Sequence, residues 1–263
     1  MQSIPKHWFH NSIFISSLFD ASSVTIPDGE RFIIASVQKL LPRVTNTELK
    51  TKLVTLLHEE AAHFRVHDAY NHMLVREGYR IGFATNLGKK TFTFFAKHCS
   101  GMTNLGISMC VEYFTLLFSK QILEHNVLNA DGVDERLKRV WTWHSLEELE
   151  HRSACFDLYS HLHGGYLRRF ATMLVASFLL FPIVHVSHFS LLRQNREKHN
   201  KKVLRGGAKF LFGKDGVYRH LFGGWLQYFK KDFHPRQIAI APTIQKELYH
   251  HHVEDELIQY FQS

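Results

Sequence analysis

Two copies of Glu-x-x-His, each inside a stretch of helical periodicity, constrain this chain more than any other feature. The first is Glu60-Ala61-Ala62-His63 within LLHEEAAHFRVHDAYN, and the second is Glu148-Leu149-Glu150-His151 within WTWHSLEELEHRSACFDLY. Residues three apart share a helix face, so each copy offers one carboxylate and one imidazole to the same point. One copy alone reads as a solvated face. Two copies on separate helices point to helices that meet, and a bundle holds two metal ions in this way when two further helices add one Glu each. Glu30 and Glu112 are the candidates for those two positions.

The spacing supports that arrangement. A first helix is predicted from about Asp28 to Leu41, stopped by Pro42, and a second from Thr47. Glu30 stands 12 residues before Pro42, and Glu60 stands 13 after Thr47. At about 1.5 Å per residue both carboxylates lie roughly 18–20 Å from the turn, at nearly one height. In the later pair, Glu112 precedes Val127 by 15 residues and Glu148 follows Val133 by 15. The link Leu128-Asn129-Ala130-Asp131-Gly132 reads as the turn between them. Residues 79–100 are left as the crossover connector of a four-helix bundle.

Composition bounds the rest. With 263 residues, 45% of them apolar, the chain can bury a large core. Helical periodicity dominates and strand alternation is weak, so the expected fold is all-α: a ferritin-like four-helix bundle with additional C-terminal helices. A single domain over 1–263 is expected, with the metal-binding bundle at about 20–165 and an apolar, then basic, helical extension at about 166–263. Glu247, Glu254 and Glu256 belong to a final amphipathic helix, and His250, His251 and His252 read as surface residues. Cys99, Cys110 and Cys155 lack paired or metal-finger spacing, which suits reduced thiols. The start, MQSIPKHWFHNSIF, does not read as a signal peptide. These features make a cytoplasmic setting the expectation.

Charge is uneven. Between Arg193 and Lys231 there are 11 Lys and Arg against Glu197 and Asp215, a balance of +9, whereas the whole chain carries +8. The 22 residues before it, Ala171 to Leu192, hold no charged side chain. Two readings stand: a helix packed on the bundle, or a membrane-embedded or interfacial segment with a basic collar, making 171–231 a membrane contact. The basic residues are scattered and match no nucleic-acid motif, so no nucleic-acid partner is expected.

Around the two motifs, His144 lies four residues before Glu148 and seven before His151 on the same stripe, a third imidazole for the site. His67, four after His63, is similarly placed, either as a further ligand or behind the ligands. Asp68 and Asp157 are candidates to accept the second N–H of a ligand imidazole. Glu59, Glu147 and Glu150 fall off the stripe and are expected to be solvated or paired with Arg65 or Arg152. Phe64, Tyr113, Phe114 and Phe156 adjoin the ligands and would line any apolar pocket. A His-Glu-x-x-His zinc motif fails, because the position four after His58 is Ala62. Carboxylates and imidazoles without thiolate favour iron or manganese over zinc.

The segments PDGERF (27–32), HEEAAHFRVHDAYN (58–71) and WHSLEELEHRSACFDLY (143–159) resemble a bacterial family described as predicted metal-dependent hydrolases, over roughly residues 20–240. The ligand pattern is also similar to that of di-iron N-oxygenases acting on aryl amines, which add a third His one turn before the last Glu-x-x-His, the place of His144 here. The ligand set is Glu30, Glu60, His63, Glu112, His144, Glu148 and His151. It is expected to hold two Fe ions, with Mn or a mixed Mn/Fe pair as the alternative. The expected activity is O2-dependent oxidation of a small apolar organic substrate, drawing on an electron donor. The alternative is hydrolysis by a metal-activated bridging water. A homodimer is expected.

Overall fold

The computed structural model describes residues 4–9, 12–195, 200–214, 216–245 and 253–262. Among them there is no strand, only one isolated bridge between Phe9 and Val133, and the chain is all-α. Its helices are α1 (Ile13–Leu40), α2 (Thr47–Arg76), α3 (Gly82–His98), α4 (Gly101–Glu124), α5 (Glu135–His151), α6 (Ala154–His161), α7 (Tyr166–Leu192), α8 (Lys201–Phe212), α9 (Val217–Tyr228), α10 (Pro242–Gln245) and α11 (Glu254–Gln259). Glu247 and His250 to His252 lie outside the described residues.

Four helices form the bundle. Helix α1 packs along α2, and α4 along α5, with α1 against α4 and α2 against α5 closing the square. Side-chain caps set the starts where sequence spacing places them: Asn46 Oδ1 accepts from Leu49 N at 2.8 Å, and Asp134 Oδ1 from Arg136 N at 3.0 Å. Pro42 sits in a 3-10 turn, Leu41–Arg43, that ends α1. Two apolar cores lie on either side of the polar layer. One takes Ile33 and Val37 of α1 with Leu53 and Leu56 of α2; the other takes Phe19 and Val24 of α1 with Val66 and Tyr70 of α2. Glu30, Glu60 and His63 fall between them.

Two boundaries differ from the sequence expectation. Helix α1 begins at Ile13, not near Asp28, because Pro27 lies inside it. A proline within a helix frees the carbonyl four residues earlier. Here that carbonyl belongs to Ser23, and Asn71 Nδ2 of α2 donates to it at 3.0 Å. The connector at 79–100 folds as a helix, α3, which packs on α1 and α7.

Helix α7 has one face on α1, α3 and α4 and the other in the open. Only 28% of its most apolar stretch is buried. It is long and apolar enough to cross a membrane by length and composition alone.

One acid in the second core sets a pH dependence. Asp20 is 1% exposed and accepts from Tyr70 Oη at 2.7 Å and Trp8 Nε1 at 2.9 Å. Burial outweighs both donors and raises its pKa to about 7. The folded chain therefore holds a proton that the unfolded chain releases near 3.8, and stability is lost as pH rises from about 4 through about 7. Asp20→Asn keeps the acceptor without the charge. Thermal melts of this variant are expected to lack that loss and to stand a few degrees above the native chain at pH 8. Parallel curves at pH 5 and pH 8 would show that Asp20 does not carry it.

Candidate metal centre

Seven side chains from four helices meet between the two cores. Helix α1 supplies Glu30, α2 supplies Glu60 and His63, α4 supplies Glu112, and α5 supplies His144, Glu148 and His151. None is more than 4% exposed. Two overlapping groups each bring four ligand atoms within 4.8 Å of one another: Glu30, His63, His144 and Glu148, and then Glu60, His63, Glu148 and His151. His63 and Glu148 belong to both groups. Glu112 joins through His151, whose Nδ1 is 3.2 Å from Glu112 Oε2 and 3.5 Å from Glu60 Oε1. His63 Nδ1 stands 3.5 Å from Glu30 Oε2, and His144 Nε2 stands 3.4 Å from Glu148 Oε1. Each imidazole thus turns one nitrogen to the carboxylates.

The electrostatics of this layer call for cations. Burial, then the neighbouring Glu30, Glu112 and Glu148, pushes Glu60 well above the carboxylate range. Burial is also the main cause that brings Glu148 up to about 8. Burial alone would lower His63 and His151, but the surrounding carboxylates outweigh it, holding His63 well above its ordinary value and His151 at about 9. Glu30 Oε2, both oxygens of Glu60 and His63 Nδ1 have no hydrogen-bond partner. Buried polar atoms are rarely left so, and here they point at one another. Divalent ions among them would replace shared protons and satisfy the orphaned atoms, so the residues present fit a dinuclear metal group.

The surrounding side chains orient the imidazoles. His144 Nδ1 is 3.2 Å from His67 Nε2, His67 Nδ1 is 2.9 Å from Ser23 Oγ, and Ser23 Oγ donates to Asn71 Oδ1 at 3.0 Å. Since Ser23 spends its proton on Asn71, His67 Nδ1–H donates to Ser23, and His67 Nε2 accepts from His144 Nδ1–H. That sequence leaves the His144 Nε2 lone pair facing the cluster. Burial first, then the other imidazoles, keeps His144 well below its ordinary pKa and His67 at about 3, so both rings are neutral. Thr115 Oγ1 donates to Glu148 Oε2 at 2.5 Å and fixes that carboxylate. Cys155 Sγ lies 3.8 Å from Glu112 Oε1, a neighbour that the sequence reading did not connect with the site.

Several expected roles fall elsewhere. Glu147 is buried, not solvated: Trp143 Nε1 donates to its Oε1 at 2.8 Å, and its Oε2 stands 2.9 Å from His63 Nε2. It is the carboxylate behind His63, the place the sequence reading gave to Asp68 or Asp157. Asp68 instead pairs with Arg31. Asp157 gathers Lys52 at 2.7 Å, Arg236 at 2.8 Å and His234 at 3.0 Å rather than His63, His144 or His151. Glu59 and Glu150 are half-buried, and Arg65 pairs with Glu254 of α11. Of the four aromatics expected at a pocket, Phe114 lines the one that reaches the cluster. Phe64 stacks under Arg31, while Tyr113 and Phe156 pack on Phe233.

That pocket, about 190 Å³, begins at Glu30, His144 and Glu148. Its walls are almost wholly apolar, with Leu18, Ile26, Val111, Phe118 and Trp141 among them, and it runs to the seam of α7 and α9 at Phe181, His185, Tyr218 and Leu221.

Comparison with known proteins gives a family match over residues 1–239, to the family described as predicted metal-dependent hydrolase. Neither the curated proteins nor the solved structures compared with the chain gave a match.

The contact between Glu147 and His63 yields a measurable expectation. Removing the carboxylate behind a ligand imidazole typically costs about 10- to 100-fold in metal affinity. Glu147→Ala is expected to show a loss of that size in Fe(II) or Mn(II) titrations, with the helical circular-dichroism signal kept. Asp68→Ala is expected to leave affinity unchanged. Equal affinities for Glu147→Ala and the native chain would remove Glu147 from the site.

Proposed function

The chain belongs to this family of predicted metal-dependent hydrolases, and from that premise we propose a dinuclear metal enzyme that acts on an apolar organic substrate. Its ligands are Glu30, Glu60, His63, Glu112, His144, Glu148 and His151, in a ferritin-like arrangement of four carboxylates and three imidazoles. The observation carrying this reading is the apolar cavity that ends on Glu30, His144 and Glu148.

The donor set favours two irons, with manganese or a mixed Mn/Fe pair as the alternative. Bound in their reduced state, they would supply activation of O2 for oxidation of the substrate. The chain's own residues do the rest. Glu148, in both groups of ligand atoms and held by Thr115, would be among the residues that hold the metal. His67 sets the tautomer of His144. Leu18, Val111, Phe114 and Phe118 would bind the apolar substrate and keep water from it. That chemistry would also draw on an electron donor.

The family description favours a second reading, hydrolysis. There the two ions would lower the pKa of a bridging water and polarise a carbonyl or phosphoryl oxygen. The same ligands would hold them, and the same apolar wall would select the acyl or alkyl part of the substrate.

Oxygen uptake separates the two. Protein loaded anaerobically with Fe(II) and then given O2 is expected to consume O2, and Glu60→Ala is expected to abolish the uptake. Absence of uptake, together with cleavage of medium-chain p-nitrophenyl esters by Mn- or Zn-loaded protein, would replace oxidation with hydrolysis.

A further inference from the structure

Helix α7 carries an apolar stripe that no described residue covers. Leu167, Val175, Phe178, Phe181, Val186 and Phe189 face outward along its 27 residues, with no charged side chain between Ala171 and Leu192. Leu167 is 81% exposed and Phe178 is 77% exposed. The stripe widens on both flanks. Toward α3, Phe83 lines a shallow groove with Val186 and Phe189. On the other side α9 is tied to α7 by Trp225 Nε1 donating to Ser177 Oγ at 2.8 Å, and it presents Phe222 and Leu226. Phe212, ending α8, meets Tyr218, which meets Phe181. Contiguous apolar surface of this kind marks an interaction site, whereas scattered single residues do not.

The charges around the stripe indicate the partner. On α8, Leu204, Ala208 and Phe212 form an exposed ridge at i, i+4 and i+8, and Lys201, Arg205 and Lys209 run beside it. Among the described residues none of these three cations is in an ion pair. Across 193–231 the balance is +9. An apolar face bordered by free cations is the pattern of helices that lie in the interface of an anionic bilayer, each Lys or Arg near the surface adding to the attraction. A second copy of this chain is a poor occupant, since a two-fold contact would set the basic borders against each other.

Insertion across a bilayer is opposed by the other face of α7. His188 Nε2 is bonded to the Phe14 carbonyl at 3.0 Å, and Arg169 donates to the carbonyls of Lys230 and Phe233 at 2.5 and 3.3 Å. Buried polar ties along one side fix the helix to the bundle and leave only its outer half for lipid. We propose that the outer face of α7, flanked by α3, α8 and α9, is a docking surface for an anionic lipid bilayer, on which the protein lies without crossing it. Phe181, His185, Tyr218 and Leu221 at the seam of α7 and α9 also line the apolar cavity, so docking sets that end of the cavity beside the lipid. Docking does not depend on the chemistry at the metal centre.

Co-sedimentation with vesicles tests this. The metal-loaded chain is expected to bind phosphatidylcholine vesicles containing roughly a third phosphatidylglycerol, and to bind pure phosphatidylcholine far more weakly. The pair Leu167→Glu with Phe178→Glu is expected to lower the bound fraction at least about tenfold. The triple change Lys201→Glu, Arg205→Glu and Lys209→Glu is expected to lower it comparably and to remove its salt dependence. All of these side chains are exposed, so melting temperature and metal content are expected to stay as in the native chain. Failure to bind anionic vesicles, or binding that neither variant weakens, would overturn the proposal. A concentration-dependent dimer abolished by Leu167→Glu with Phe178→Glu would also overturn it, making the face a self-association interface.

Discussion

Four carboxylates within one buried layer repel one another and have lost the water that would screen them. An uncompensated buried charge costs several kcal/mol, so the layer needs protons or metal ions to stand, and Glu60 and Glu148 register that need in their raised pKa values. The two apolar cores on either side supply what the layer costs. They hold α1, α2, α4 and α5 against one another, which presents the seven side chains to one shared space. A bundle closed by apolar contacts alone would need no such layer.

The irregularity in α1 is tied to that layer. Pro27 leaves the Ser23 carbonyl without its helical donor, and Asn71 replaces it. The same Asn71 takes the Ser23 hydroxyl proton, which turns Ser23 into the acceptor for His67 and sets His144 with its free lone pair toward the carboxylates. A proline that reads as a helix breaker is therefore one end of the chain of hydrogen bonds that orients the His144 imidazole.

Much of this was legible in the sequence, for a physical reason. Glu60 with His63 and Glu148 with His151 are related by helical periodicity, and the level placement of Glu30 and Glu112 follows from rise per residue, so spacing alone brings them together. Glu147 was not legible. It points away from the stripe of its own helix and reaches His63 on α2, a relation set by helix packing. Asp157 misled because a carboxylate near a ligand in sequence looks like an orienting group; Lys52, Arg236 and His234 claim it once α6 turns away after His151. The start of α1 was missed because the carbonyl its proline frees, that of Ser23, finds its donor in Asn71, 48 positions later in the chain.

The most direct test of the account is anomalous X-ray diffraction from the metal-loaded chain, collected at the absorption edge of the metal. Two peaks about 3.5–4 Å apart, lying between Glu30, Glu60, His63, Glu112, His144, Glu148 and His151, are the predicted result. A single peak there, or metal bound only at the Asp157 and His234 cluster, would contradict the dinuclear centre.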